Sequence, residues 1–263
     1  MRRWVRRLTR RRGVTSRPGL VERQLVFEGM VNFRDLGGLP ADGGTVRRGA
    51  LFRSDSLAYA TDADAERLVD DIGLATVIDL RGLYEVEHLG RGPLAKTPIV
   101  YVSAPIVDVS GGEDLARHYL AMLDEKGGVL GSMIRLLAGS DALPAVFHCE
   151  AGCDRTGVLA AAVLSLLGVP EDVIAEDYAL TAPAMPAIHA RVREVARQLG
   201  LPTRPGVDVE WAPEASMMAD ALKLARERWG GIREWASLHG VGDGDIEALR
   251  AALIEPPASS SAV

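Results

Sequence analysis

The chain of 263 residues has only two cysteines, Cys149 and Cys153. That is too few for a disulfide scaffold, and it suits a reducing compartment or at least does not require an oxidising one. No Cys/His cluster has zinc spacing. His88, His118, His189 and His239 are scattered, so neither a metal nor another cofactor is expected. No apolar stretch reaches the roughly 18 residues needed to cross a bilayer, and there is no internal repeat. Basic charge is scarce beyond the start of the chain. Eight of the 30 basic residues (Arg2, Arg3, Arg6, Arg7, Arg10, Arg11, Arg12, Arg17) lie in residues 1–17 with no acid among them. That leaves 22 basic against 36 acidic residues, a balance of −14. Such a body is a poor partner for nucleic acid. The basic start could touch an anionic membrane or nucleic acid electrostatically. A solvated disordered arm over residues 1–20, or an upstream start codon chosen in error, is the simpler expectation. It has no apolar core of a secretory signal. A cytoplasmic location follows as the expectation, with export by a route lacking a signal peptide left open.

What is present reads as one globular body over residues 21–255, with a Ser/Ala tail at 256–263. The length suffices for one sizeable core, and 48% of the residues are hydrophobic. Residues 25–29 read as a first strand, 32–44 as a loop rich in Gly, Asp and Pro, and 51–54 as a strand edge. Thr61 with Asp64 reads as the capped start of a helix that ends at Gly73. Residues 75–80 form a β-branched apolar run suited to burial on both faces. Residues 85–89 read as a short helix and 99–103 as another strand. Two amphipathic helices, 115–123 and 129–137, are joined by Gly127-Gly128. Residues 145–149 read as the central strand, 155–167 as the helix behind it, and Pro170 as the opening of another helix. Pro183 and Pro186 interrupt the chain before a helix over 187–199, with Arg191, Arg193 and Arg197 on its polar positions. Residues 214–253 are helical, with Asp243 or Asp245 capping the last helix. Strands alternating with helices predict an α/β fold with a central, mostly parallel sheet flanked by helices.

The segment Val146-Phe147-His148-Cys149-Glu150-Ala151-Gly152-Cys153-Asp154-Arg155-Thr156-Gly157 concentrates the chemistry. An apolar strand ends in a cysteine, five residues curl round, and an arginine opens a helix. Such a loop can aim successive N–H groups of residues 150–155 at one spot with the helix dipole behind them, a ready site for a phosphate. Cys149 would lie beneath the phosphate as a thiolate, favoured by the helix N-terminus and an arginine. Arg155 would grip two oxygens through its planar fork. Phosphoryl transfer needs in-line attack and stabilisation of three equatorial oxygens, which this loop would supply. Thr156 can donate its hydroxyl to the sulfur. His148 is expected to orient the loop rather than act as a base.

This segment resembles the signature of cysteine-dependent protein tyrosine phosphatases, and more narrowly that of the bacterial, lipid-phosphatase-like group. Supporting segments are Asn32-Phe33-Arg34-Asp35-Leu36-Gly37-Gly38, Val46-Arg47-Arg48-Gly49-Ala50-Leu51-Phe52-Arg53-Ser54 and Val77-Ile78-Asp79-Leu80-Arg81. Downstream, Glu176-Asp177-Tyr178-Ala179-Leu180-Thr181 and Trp229-Gly230-Gly231-Ile232 are also similar. The resemblance implies a phosphatase-type α/β fold and hydrolysis of phosphomonoesters, foremost phosphotyrosine in proteins, through a phosphocysteine. It implies Asp154 as general acid, while Asp79 and Asp108, each following a strand, are the alternatives the sequence itself offers. Asp79 is more simply a structural partner of Arg81 or Arg53, and Asp108 a solvated loop residue. The resemblance also places Arg34 and Asp35 near the site, as substrate or loop-bracing residues or as an internal ion pair. It suggests that residues 181–213 hold a helical insertion acting as a lid, against the simpler reading of an ordinary surface helix.

One departure matters. Lysine is usual in the family where this chain has Cys153. Its absence weakens the expectation of phosphoinositide activity, which stays as the alternative substrate class. It also raises the possibility of a reversible Cys149–Cys153 disulfide, against the simpler reading of a small side chain that fits the loop. A phosphoryl-binding module without turnover and a rhodanese-like sulfurtransferase are the remaining alternatives. Intact Cys149, Arg155 and Thr156 argue against the first. The upstream segments and Thr156-Gly157 argue against the second.

Overall fold

Four parallel strands form the backbone of the molecule: β4 (Leu51–Ser54), β5 (Thr76–Asp79), β6 (Val100–Ser103) and β7 (Ala145–His148). With the antiparallel β1 (Arg34–Asp35) they make one sheet in the order β1-β4-β7-β5-β6. A computed structural model describes residues 21–107, 109–110, 114–200 and 211–257. The expectations for residues 1–20, for Asp108, for the later part of the 181–213 insertion and for the final tail from residue 258 lie outside the described residues.

Alternation along the strands splits the sheet into two buried faces. Phe52, Val77 and Val146 pack on one side with Phe27, Phe33 and Leu68, the last from α1 (Asp62–Asp70). Leu51, Ile78, Ala145 and Phe147 pack on the other with α3 (Leu115–Glu125), α4 (Gly127–Ala138), α5 (Asp154–Leu166) and α6 (Glu171–Ala179). Three further helices close that face: α8 (Ala215–Trp229), α9 (Ile232–Leu238) and α10 (Asp243–Leu253). Trp235 of α9 is fully buried and donates its indole N–H to Leu123 O at 2.8 Å. The remaining α-helices among the described residues, α2 (Leu83–Leu89) and α7 (Met185–Leu199), lie beside the loop that follows β7.

Strand register decides where the site falls. Ser54, His148, Asp79 and Ser103 stand level across the sheet. The residues just after them, Asp55, Cys149 and Leu80, therefore emerge at one carboxyl-end edge, where open α/β sheets place ligands.

Several expectations are corrected. Residues 25–29 are not a strand. Gln24 alone bridges to Arg34, and the N–H groups of Glu28 and Gly29 go to the Asp64 carboxylate instead of a ladder. The predicted loop 32–44 contains β1 and β2 (Pro40–Ala41). The latter pairs with β3 (Gly44–Val46), which in turn pairs with β8 (Ile254–Glu255) in a small second sheet. Residues 51–54 are an interior strand, between β1 and β7. Gly127-Gly128 begin α4 rather than separate two helices, and the close approach of the His239 ring, 2.4 Å from where a Cβ would lie, keeps residue 127 a glycine. Pro170 is the residue before α6, and Pro186 sits inside the first turn of α7, where its missing N–H costs nothing. Thr61 and Asp64 form the expected reciprocal cap of α1. Asp245, not Asp243, caps α10 by accepting from Gly242 N.

Truncating the fully buried indole of Trp235 to alanine should lower the unfolding free energy by about 3–5 kcal/mol. Urea titration followed by far-ultraviolet circular dichroism measures this, and a loss below about 1 kcal/mol would show that α9 is not part of the cooperative core.

Candidate active site

The loop from Cys149 to Asp154 takes its shape from donors behind it. Leu80 N reaches His148 O at 2.8 Å, and Ser56 N reaches Glu150 O at 3.0 Å. Asn32 Nδ2 reaches Ala151 O at 3.0 Å, and Arg53 donates to Gly152 O at 2.8 Å. Gly157 N reaches Cys153 O at 2.7 Å. His148 Nδ1 lies 3.2 Å from Cys149 O, which as a carbonyl can only accept, so Nδ1 carries the proton. Every carbonyl from 148 to 153 is thus engaged. Among the described residues, the N–H groups of 150 to 153 donate to no backbone carbonyl. Carbonyls held on the outside of a tight curl leave the N–H groups for its inside, which is the construction of an anion cradle. Gly152 has φ +68°, and a Cβ there would fall 2.4 Å from Ser54 O, so this corner of the loop admits only glycine.

The donors stand on a buried cluster of charge. Asp177 of α6 receives Arg23 at 2.6 Å, Arg53 at 2.8 Å and Arg34 at 3.4 Å, all essentially without solvent exposure. Burial pushes the Asp177 carboxyl up, but Arg34, Arg23 and Arg53 outweigh it and hold it well below the usual carboxylate range. Arg34 also donates to Asn32 Oδ1 at 2.5 Å and to Thr181 Oγ1 at 3.2 Å, which aims the Asn32 amide at the loop. Arg34 is therefore placed behind the loop, out of reach of a ligand in the cradle. Asp35 accepts from Gly37 N and Gly49 N at 2.7 and 2.9 Å.

Among the residues singled out from sequence, Cys149 is buried at the strand end and Arg155 is the second residue of α5. Glu85 of α2 takes both terminal nitrogens of Arg155, at 2.6 and 2.8 Å. Burial lowers the Arg155 guanidinium, but the nearby Cys149 and Glu85 more than offset it and raise it above its ordinary value. Asp154 opens α5 and accepts from the Tyr119 hydroxyl at 2.5 Å. Glu150 accepts from the Tyr59 hydroxyl at 2.7 Å, and burial raises its carboxyl.

Asp79 is held by Arg81 at 2.7–3.2 Å, by Tyr101 at 3.0 Å and beside His148 at 3.6 Å. Burial opposes its charge, yet His148 and Arg81 keep the carboxyl below its usual range. Burial, opposed by Asp79, lowers the His148 imidazole below its ordinary value. One expectation is not met in the geometry. The Thr156 hydroxyl has no hydrogen-bond partner, so it does not donate to the Cys149 sulfur here. Both cysteines are free thiols, and the fully buried Cys153 turns toward the Tyr178 hydroxyl at 3.7 Å. Burial raises the Cys153 thiol well above its ordinary value.

The loop also supports α7. Ala151 packs against the cluster of Ala184, Met185 and Ile188, as Val192 and Trp211 do. Arg191 of α7 donates to Gly29 O at 2.8 Å, pairs with Asp55 and lies over the Tyr59 ring at 3.9 Å. Sequence reading placed Arg191 on a polar helix face and assigned no role to Asn32, Glu85 or Tyr119. The one signal for Asn32 was its place beside Arg34 in a recognised segment.

The tyrosine phosphatase family model matches residues 25–255. The chain belongs to the tyrosine phosphatase family. It is accordingly an enzyme whose substrates are phosphorylated. It is 30% identical over 247 residues to a Cupriavidus necator protein that carries a provisional tyrosine-protein phosphatase name, covering 86% of each chain. It is 29% identical over 284 residues to the triple specificity protein phosphatase PtpB of Mycobacterium tuberculosis, covering 86% of this chain and 97% of that one. The crystal structure of P. aeruginosa TpbA covers 82% of this chain and 94% of its own at 17% identity, with a TM-score of 0.32 that is too low to support an argument. No group of three or more potential metal-ligating side chains occurs among the described residues, and no described helix is long and apolar enough to cross a membrane.

Replacing Asp177 with asparagine leaves three buried guanidinium groups without their counter-charge and should destabilise the fold by about 3–5 kcal/mol. Because the folded carboxyl lies below its unfolded value of ~3.9, its contribution is complete above that pH and drains as pH falls further. The stability gap between wild type and Asp177→Asn should therefore be constant from pH 7 to 5 and narrow toward pH 3. A gap that does not vary with pH would deny the ion pairing.

Proposed function

We propose that this phosphatase hydrolyses phosphomonoesters, foremost phosphotyrosine in proteins, through a phosphocysteine on Cys149. The observation that carries this reading is the loop in which every carbonyl from His148 to Cys153 is engaged from outside, above a buried cysteine and beside Arg155. The phosphoryl group would lie among the N–H groups of Glu150, Ala151, Gly152, Cys153, Asp154 and Arg155, with the Arg155 fork on its oxygens.

In the first step the Cys149 thiolate attacks phosphorus in line. The S–P bond forms as the P–O bond to the leaving alcohol breaks, and Asp154 passes its proton to the departing oxygen. In the second step Asp154 takes a proton from water, whose oxygen attacks phosphorus. Phosphate leaves and the thiolate returns. Glu85 holds Arg155 in a fixed plane before substrate arrives. Asp79 and His148 brace the strand end from below, at one remove from the ester.

Phosphoinositides are the lesser substrate class on this reading. Cys153 adds no charge, and the neighbouring Glu150 and Asp154 disfavour headgroups with additional phosphates. Residues 21–255 act as the catalytic unit, and α7, resting on Ala151, acts as its cover. Two free thiols in a reactive loop fit a cytoplasmic setting.

Hydrolysis of an aryl phosphate and a phosphotyrosyl peptide, under reducing conditions with chelator, tests the reading. Cys149→Ser should abolish turnover by at least ~10³-fold. Asp154→Asn should cost roughly 10²–10⁴-fold, more with the peptide than with an activated aryl ester. Full activity of Cys149→Ser would refute the phosphocysteine route.

A further inference from the structure

Tyr119 lies on α3, an element that no recognised motif touches, yet its hydroxyl reaches the loop. It is fully buried, stands 2.5 Å from Asp154 Oδ1 and 2.6 Å from the Tyr178 hydroxyl, and its ring meets the Tyr178 ring edge-on at 5.8 Å. The Cys153 thiol in turn points to the Tyr178 hydroxyl at 3.7 Å.

Each hydroxyl has one proton, so the donors can be ordered. An ionised Asp154 only accepts, so the Tyr119 proton goes to Oδ1. The Tyr119–Tyr178 contact must then use the Tyr178 proton. That leaves the Tyr178 oxygen to accept from the Cys153 thiol. Every bond in the chain runs the same way, from Cys153 through Tyr178 and Tyr119 to Asp154. Burial, with Asp154 and Cys153 close by, pushes both phenols far above their ordinary values, so both stay protonated donors.

We propose that Tyr119 is a positioning residue that fixes which oxygen of Asp154 carries the transferable proton. Because Oδ1 is occupied by a donor, a protonated Asp154 has its proton on Oδ2. Tyr119 also pins the carboxyl torsion, so Oδ2 presents in one orientation. In the first step the Oδ2 proton moves to the leaving oxygen as the P–O bond breaks and the S–P bond forms. In the second step Oδ2 recovers a proton from the attacking water. Tyr119 keeps its own proton throughout. This inference rests on the reading of Asp154 as the acid in a phosphocysteine mechanism.

The test is kcat/KM for a series of aryl phosphates of graded leaving-group acidity, from 4-nitrophenyl to phenyl phosphate. This parameter reports events up to departure of the first product. Tyr119→Phe should lower the ratio of phenyl to 4-nitrophenyl phosphate turnover roughly tenfold, a part of what general acid catalysis supplies. Orthovanadate, which needs no leaving-group proton, should bind within about twofold of wild type. In an Asp154→Asn background the same change should leave the ratio where Asp154→Asn alone puts it. A purely structural role would depress all esters alike and weaken vanadate, and that outcome overturns the proposal. Should Tyr119→Phe fail to fold, 3,5-difluorotyrosine at position 119 keeps the ring and the hydroxyl while strengthening the donor. A changed ratio then supports the role, and an unchanged one overturns it. Persistent turnover by Cys149→Ser would instead refute the underlying mechanism, so the two failures are distinguishable.

Discussion

A carboxylate out of contact with water is costly unless cations and donors surround it. Asp177 is surrounded by three arginines that come from three separate parts of the chain. Arg53 reaches past it to Gly152 O. Arg34 reaches past it to Asn32, whose amide holds Ala151 O. The curl of the loop after β7 is therefore dictated from below. Its own residues supply little beyond glycine at the one corner that admits nothing larger. The cluster carries more positive than negative charge, and it lies beneath a pocket proposed to hold a thiolate and a dianion. Its electrostatic surplus favours what the loop is shaped to bind.

The local parts of this arrangement were legible in the sequence. Cys149, Gly152, Arg155 and Gly157 fall at spacings that a strand, a tight loop and a helix require, and the β-branched run over residues 75–80 marked a strand buried on both faces. The long-range parts were not legible. Glu85 lies 70 residues from Arg155 and Tyr119 lies 35 residues from Asp154, so only the packing of α2 and α3 makes them neighbours. Arg191 read as one polar residue on an amphipathic helix, because nothing in a helical period shows that Asp55 and Tyr59 wait opposite. The false strand at residues 25–29 has the same origin: a distant carboxylate, Asp64, takes the backbone donors that a ladder would have used.

Cys153 shows how a departure from a family's usual residue is absorbed. A small thiol fits a fully buried pocket and ends a line of hydroxyl groups that leads back to Asp154. The position is thereby turned inward, toward the helices, where a lysine would have required a compensating charge or a way to water.

The grip of Glu85 on both terminal nitrogens of Arg155 has a consequence for the thermodynamics of capture. A free arginine has about 2 kcal/mol of rotamer entropy to lose when it is immobilised. Here the folded protein has already lost it, before any ligand is present. On the proposed reading, an arriving phosphate meets a guanidinium whose plane and position are set, so the enthalpy of its hydrogen bonds is not consumed in ordering the group that makes them. Recognition by this fork should therefore carry a smaller entropic opposition than the same contact made by a solvated side chain.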